Sequence, residues 1–128
     1  MWLAADSEVN GNPWTSMAEF NLLDASDGVM LRIGWSVSAD SAELVGESAP
    51  ASNAIDGDAS TFWHTQWQAA SPPPPHTFTV NLGSARTIGG FKYLPPPAGA
   101  TAPSPPGASG SIGACVVATR SNGGHGSM

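Results

Sequence analysis

The stretch Ala51-Ser-Asn-Ala-Ile-Asp-Gly-Asp-Ala-Ser-Thr-Phe-Trp-His-Thr-Gln-Trp67 sets oxygen-bearing side chains, two tryptophans and a histidine in one short run. Asp56, Asp58 and Thr61 recur around the turn residue Gly57. A hard cation such as Ca²⁺ takes such oxygens from the carboxylates and carbonyls of a tight loop. Phe62, Trp63 and Trp67 add apolar area directly beside them. The run reads as a binding loop rather than a catalytic one. The competing reading is a turn in which Asp56 accepts from its own backbone, an Asx-type hydrogen bond with no ion involved.

Outward from this loop, the flanks read as strands. Residues 77–82 alternate Phe78, Val80 and Leu82 with Thr77, Thr79 and Asn81, the period of a half-buried strand. Gly83-Ser84 supplies a turn, and residues 88–94 carry Ile88, Phe91 and Tyr93, with Gly89-Gly90 either loosening the strand or permitting a bulge. Residues 18–23 and 34–38 are shorter strand candidates. The proline run at 72–75 predicts a stiff, polyproline-like lead into the strand that follows. The one helix-like stretch, residues 41–44, is too short to stand alone.

These motifs resemble the discoidin family: the C-type modules of coagulation factors V and VIII and the family 32 carbohydrate-binding modules, which share a galactose-binding-like β-sandwich. The binding loop, Pro75-His-Thr-Phe-Thr-Val-Asn-Leu-Gly83, Ile88-Gly-Gly-Phe-Lys-Tyr-Leu-Pro95 and the upstream Ile33-Gly-Trp-Ser-Val-Ser-Ala-Asp-Ser-Ala-Glu43 follow one another in family order. The resemblance implies an all-β, jelly-roll-like sandwich, present here in part, with residues 33–95 forming the first portion of a module. Residues 1–24 resemble the closing segment of such a module, although they precede its opening strand. Either the chain runs from the tail of one module into a tandem second one, or a single module is circularly permuted. The linker-like residues 25–32 favour the tandem arrangement.

Residues 96–128 are rich in Pro, Gly, Ala and Ser. Such a composition buries too little apolar surface to offset its ordering entropy, so a disordered tail is expected. Ala100-Thr-Ala-Pro-Ser-Pro-Pro-Gly107 can be back-translated with one choice of GC-rich codons whose shifted frame reads Asp-Gly-Thr-Ile-Ala-Ala-Trp. That run resembles the approach to the family's next strand, so an interrupted gene with a non-functional product is one alternative.

The formal net charge of −6, with four Lys and Arg against ten Asp and Glu, argues against nucleic acid or an anionic membrane as partner. No apolar run nears the roughly 20 residues of a membrane-spanning helix. The start lacks the basic and apolar pattern of a secretory leader; the family resemblance nonetheless implies an extracellular or cell-surface setting. Cys115 is the sole cysteine and supports no disulfide framework.

The resemblance implies specific ligands. For the cation they are the Asn53 carbonyl, Asp56, Asp58 and Thr61, closed by Ala18 and Glu19. For a galactose-type glycan they are His64 and Trp67, in a His-x-x-Trp arrangement, with Glu47 as acidic partner. A carboxylate accepts from adjacent hydroxyls, a neutral imidazole donates or accepts, and an indole face covers the C–H face of a pyranose. The family pattern also places an Arg and an Asn after the strand ending at residues 94–95, where this chain has Pro96 and Pro97. A protein- or lipid-head-group-binding discoidin module is the other alternative, because one sandwich hosts many ligands.

Trp63 is expected in the core, Trp14 and Trp35 in packing, and His76 in solvent. Catalysis is not expected. Ser60, His64 and Asp56 can be written as a triad, but no nucleophile-elbow pattern accompanies them. His64, His76 and Cys115 lack the close spacing of zinc ligands.

Overall fold

A computed structural model describes residues 1–8 and 11–96 in full and residues 112–118 as backbone. The elements are β1 (Trp2–Glu8), β2 (Ser16–Met17), β3 (Glu19–Leu23), β4 (Ser36–Ala39), a 3-10 helix (Ala51–Ile55), β5 (Trp63–His64), β6 (His76–Asn81), β7 (Gly90–Leu94) and β8 (Ile112–Ala118). The architecture is the all-β sandwich expected from the sequence. Every named strand pairing is antiparallel, with one sheet in the order β4-β6-β1-β8 and two-stranded ladders β2-β5 and β3-β7.

The two ends of the motif order meet in one core. Leu3 of β1 lies opposite Phe78 of β6, and both are buried. Phe20 and Leu22 of β3 point inward beside Met17, Trp63, Phe78 and Val80. The Phe20 and Phe78 rings stand 5.6 Å apart at 57°, and Trp63 and Phe78 5.3 Å apart at 47°. Tilted aromatic pairs of this kind add about 0.5–1.5 kcal/mol each beyond area burial. Residues 1–24 thus pack in cis against residues 33–94, through β1-β6 and through β3-β7.

Residues 25–32, expected as a linker, begin as a tight turn. The Asp24 carboxylate accepts from the Ser26 and Gly28 amides at 2.8 and 2.9 Å, and Leu23 bridges Val29. Met30 then bonds back to the Leu22 carbonyl at 2.9 Å and is buried.

Two further expectations are corrected, and one element is new. His76 is buried rather than solvated: as the first residue of β6 it shares the inward parity of Phe78 and Val80. Its ring nitrogens face the Pro13 carbonyl at 2.8 Å and Asp40 at 3.3 Å. Residues 41–44, expected to be too short for a helix, form none, and Glu43 bridges Ala49; a 3-10 helix at Ala51–Ile55 was not foreseen. Within the tail expected to be disordered, Ile112–Ala118 forms β8 along β1. That run is free of proline and carries β-branched residues, and the open edge of β1 offers it backbone partners. Residues 97–111 and 119–128 lie outside the described residues.

Candidate functional site

The binding loop leaves the 3-10 helix at Asp56 and turns at Gly57, whose φ of 79° favours a residue without a Cβ. Asp56 Oδ1 accepts from the Asp58 amide at 2.9 Å, so the Asx-type bond is present. Asp58 Oδ1 in turn accepts from the Ser60 hydroxyl at 2.6 Å and the Ser60 amide at 2.9 Å. These bonds, the hydroxyl's first, hold the Asp58 carboxyl below the usual carboxylate range. The Thr61 hydroxyl bonds Asp56 Oδ2 and lies 3.1 Å from the Asp58 carbonyl. Asn53 spends its amide nitrogen on the Ser48 and Phe62 carbonyls, at 3.2 and 3.1 Å, which ties the helix to the far end of the loop.

Glu19 reaches this loop from β3. Its Oε2 accepts from the Gly57 amide at 3.2 Å, and its Oε1 lies 2.8 Å from Arg32 Nη1. Ala18, one residue earlier, is buried and bonded through its amide to the Leu94 carbonyl. The structure therefore brings Glu19 to the loop of Asp56, Asp58 and Thr61. The donors are all oxygens, the chemistry a hard cation takes. Each carboxylate nevertheless already has a partner from the protein, and among the described residues no three His, Cys, Asp or Glu side chains form a cation-holding group.

A second cluster lies at the other end of the stretch. Trp67 Nε1 donates to Glu47 Oε2 at 2.8 Å, and both residues are half-buried. Burial pushes the Glu47 carboxyl above the usual range; the Trp67 bond opposes the rise and the neighbouring Glu43 charge adds to it. His64 is fully covered. Its Nδ1 lies 2.7 Å from the Thr65 carbonyl, so Nδ1 carries the proton, and Nε2 is left as a buried acceptor without a partner. Burial lowers its pKa, so the ring is neutral at neutral pH.

Beneath this pair lies Glu43, which sequence reasoning missed. Only 1% exposed, it accepts from Trp67 and Gln68 amides on Oε1, at 2.8 and 3.0 Å, and from Val45 and Gly46 amides on Oε2, at 3.0 and 2.7 Å. Burial opposes its ionisation, but the four amides outweigh it and hold the carboxyl at about 2. Arg32 was missed as well. Neither residue sits in the stretch 51–67, and each finds partners on a distant segment.

Comparison with known proteins places these features in a family. The F5/8 type C domain matches residues 36–105, more than half of the chain. A sialidase of Micromonospora viridifaciens is 49% identical over 55 residues, 42% of this chain and 8% of that protein. A galactose oxidase of Gibberella zeae is 40% identical over 65 residues, 50% of this chain and 9% of that protein. A lacto-N-biosidase of Bifidobacterium bifidum is 38% identical over 58 residues, 44% of this chain and 5% of that protein. The match thus spans under a tenth of each relative. The match over residues 36–105, with the sandwich and the loop it carries, makes this chain a member of the F5/8 type C domain family, a family of non-catalytic modules.

Proposed function

We propose that this chain is a non-catalytic carbohydrate-binding domain that takes a galactose-type glycan at the Glu47–Trp67 surface, outside the cell or at its surface. The observation that carries the reading is the Trp67 Nε1 to Glu47 Oε2 hydrogen bond. It fixes an aromatic face beside a carboxylate, the pairing a pyranose needs for its C–H face and its hydroxyls. Neutral His64 lies on the same stretch, with Nε2 a buried acceptor that no side chain or backbone group among the described residues fills. The names of the three relatives support a glycan over other ligands. Pro95, Pro96 and Pro97 follow β7 directly, where the family pattern places an Arg and an Asn, so affinity rests on Trp67 and Glu47.

The loop belongs to the same reading. Asp56, Asp58, Thr61 and Glu19, with the Asn53 and Ala18 carbonyls, would hold Ca²⁺, which when bound supplies a structural tie between the loop and β3. Six such groups approach the roughly six to eight oxygens the ion takes.

The test is a titration of the full chain with galactose, followed by amide NMR, for the wild type and Trp67→Ala. Saturable shifts around Glu47 and Trp67 that vanish in the variant support the reading. No shift in the wild type, or an unchanged affinity in the variant, overturns it. Leu44 and Val45, 65% and 73% exposed beside the surface, favour a second reading, a lipid head-group site. Their neighbours Glu43 and Glu47 are acidic, which weighs against an anionic membrane. Co-sedimentation with phosphatidylserine vesicles would reverse that choice.

A further inference from the structure

We propose that Glu43 is the positioning residue of this surface, its carboxylate holding the loop of residues 44–47 and the backbone of Trp67 and Gln68 at one spacing so that Glu47 and Trp67 are presented as a unit. The inference rests on the glycan reading for its consequence, but not for its geometry.

A carboxylate has about four lone-pair sites, and an ionised one takes donors only. At Glu43 the four backbone donors come in two pairs, one per oxygen. Val45 and Gly46, two and three residues on, bond Oε2; Trp67 and Gln68, 24 and 25 residues on, bond Oε1. Asp24, by contrast, accepts from amides two and four residues away and shapes only its own turn. Glu43 therefore joins segments that no local turn connects. Nor is its side chain adjustable: its own amide bonds the His64 carbonyl at 2.8 Å, and its carbonyl accepts from Ala49 at 2.9 Å. Both backbone groups are held to the frame that carries the site.

The spacing matters because the loop tip touches the indole. A Cβ on Gly46 would lie 2.5 Å from Trp67 Cη2, 2.8 Å from Cζ2 and 2.3 Å from Gln68 Oε1. The tip backbone thus lies directly against the ring, and a small displacement of residues 45–46 moves Trp67 or parts it from Glu47.

Glu43→Gln preserves shape but turns one acceptor oxygen into an NH₂, which then faces a pair of amide donors, so one arm of the clamp is lost. Glu43→Asp keeps the charge and is one methylene short, so it cannot span both arms. Gly46→Ala displaces the tip from its other side without touching the carboxylate. The readouts on the full chain are galactose affinity, the NMR shift and exchange rate of the Trp67 indole N–H, and, as an internal control for the core, the indole N–H of Trp63, which bonds the Ser41 carbonyl.

The expected result is a loss of about tenfold or more in affinity for Glu43→Gln, the scale of a hydrogen bond to a charged group. The Trp67 indole N–H should shift and exchange faster, the Trp63 signal should stay in place, and Gly46→Ala should move the same Trp67 resonance. An unmoved Trp67 indole in Glu43→Gln and Gly46→Ala overturns the positioning role. So does a Glu43→Asp variant that keeps the wild-type Trp67 signal. If Glu43→Gln unfolds the chain, Glu43→Asp decides. A displaced Trp67 indole in a chain whose wild type binds no galactose upholds the clamp and rejects the glycan reading alone.

Discussion

Arg32 Nη1 stands 2.8 Å from Glu19 Oε1 and 3.3 Å from the Phe20 carbonyl, so one guanidinium ties the residues after the Asp24 turn to the carboxylate that reaches the binding loop. Glu19 can serve Arg32 or a cation at full strength, but not both. Arg32→Gln should therefore cost about 1 kcal/mol or less without Ca²⁺, the scale of a partly exposed ion pair. With Ca²⁺ it should show a larger rise in Tm than the wild type. Differential scanning fluorimetry with and without Ca²⁺ checks both signs, and an equal Ca²⁺ response in the two proteins would reject the competition.

Asp56 offers the complementary test. Its oxygens hold the Asp58 amide and the Thr61 hydroxyl, so Asp56→Ala loosens the loop in any buffer. Any Ca²⁺-dependent part of the melting temperature should vanish with it. A variant that keeps the full Ca²⁺ increment would place the ion elsewhere.

The pH dependence follows from Glu43. Its folded pKa of about 2 lies below the ordinary 4.5. A depressed carboxyl stabilises the fold fully above its unfolded pKa, and that contribution fades as pH falls through the folded one. Stability should thus fall from about pH 4.5 towards 2, and Glu43→Gln should flatten this part of the curve. Glu47 has the opposite sign: its raised pKa favours the protonated fold, a contribution present at low pH and lost as pH rises through the folded value. Urea midpoints measured below and above pH 4.5 separate the two through the single variants, Glu43 acting below it and Glu47 above it.

Leu3 and Phe78 test whether the first strand belongs to the domain. They face each other across β1 and β6, and both are buried. Leu3→Ala should cost about 2–5 kcal/mol and Phe78→Ala about 3–5 kcal/mol. The double variant should lose less than the sum, because the two cavities merge. A Leu3→Ala chain with wild-type urea stability would mean that residues 1–24 are dispensable to this fold.

Much of the architecture could be read directly. Phe78 and Val80 alternate with threonines, and β6 follows that alternation. The same parity, extended back by one step, would have placed His76 inside; the adjacent prolines argued against it. Trp63 is in the core as expected, and its indole nitrogen is satisfied by Ser41. The Asp56–Asp58 turn was legible because both partners sit two residues apart. Glu43 was not, because nothing near a glutamate beside Leu44 and Val45 announces two amides from residues 67 and 68.

Residue order alone determined the strand periods, the Gly57 turn and the short-range bonds of the loop, since each depends on neighbours a few positions away. Tertiary structure decided that Glu19 meets Gly57 across 38 residues, that Glu43 gathers two distant pairs of amides, and that β1 inserts beside β6. Those relationships depend on strand register and shared burial. A carboxylate's length and charge permit many partners, and only the packed core selects which backbone donors come within reach.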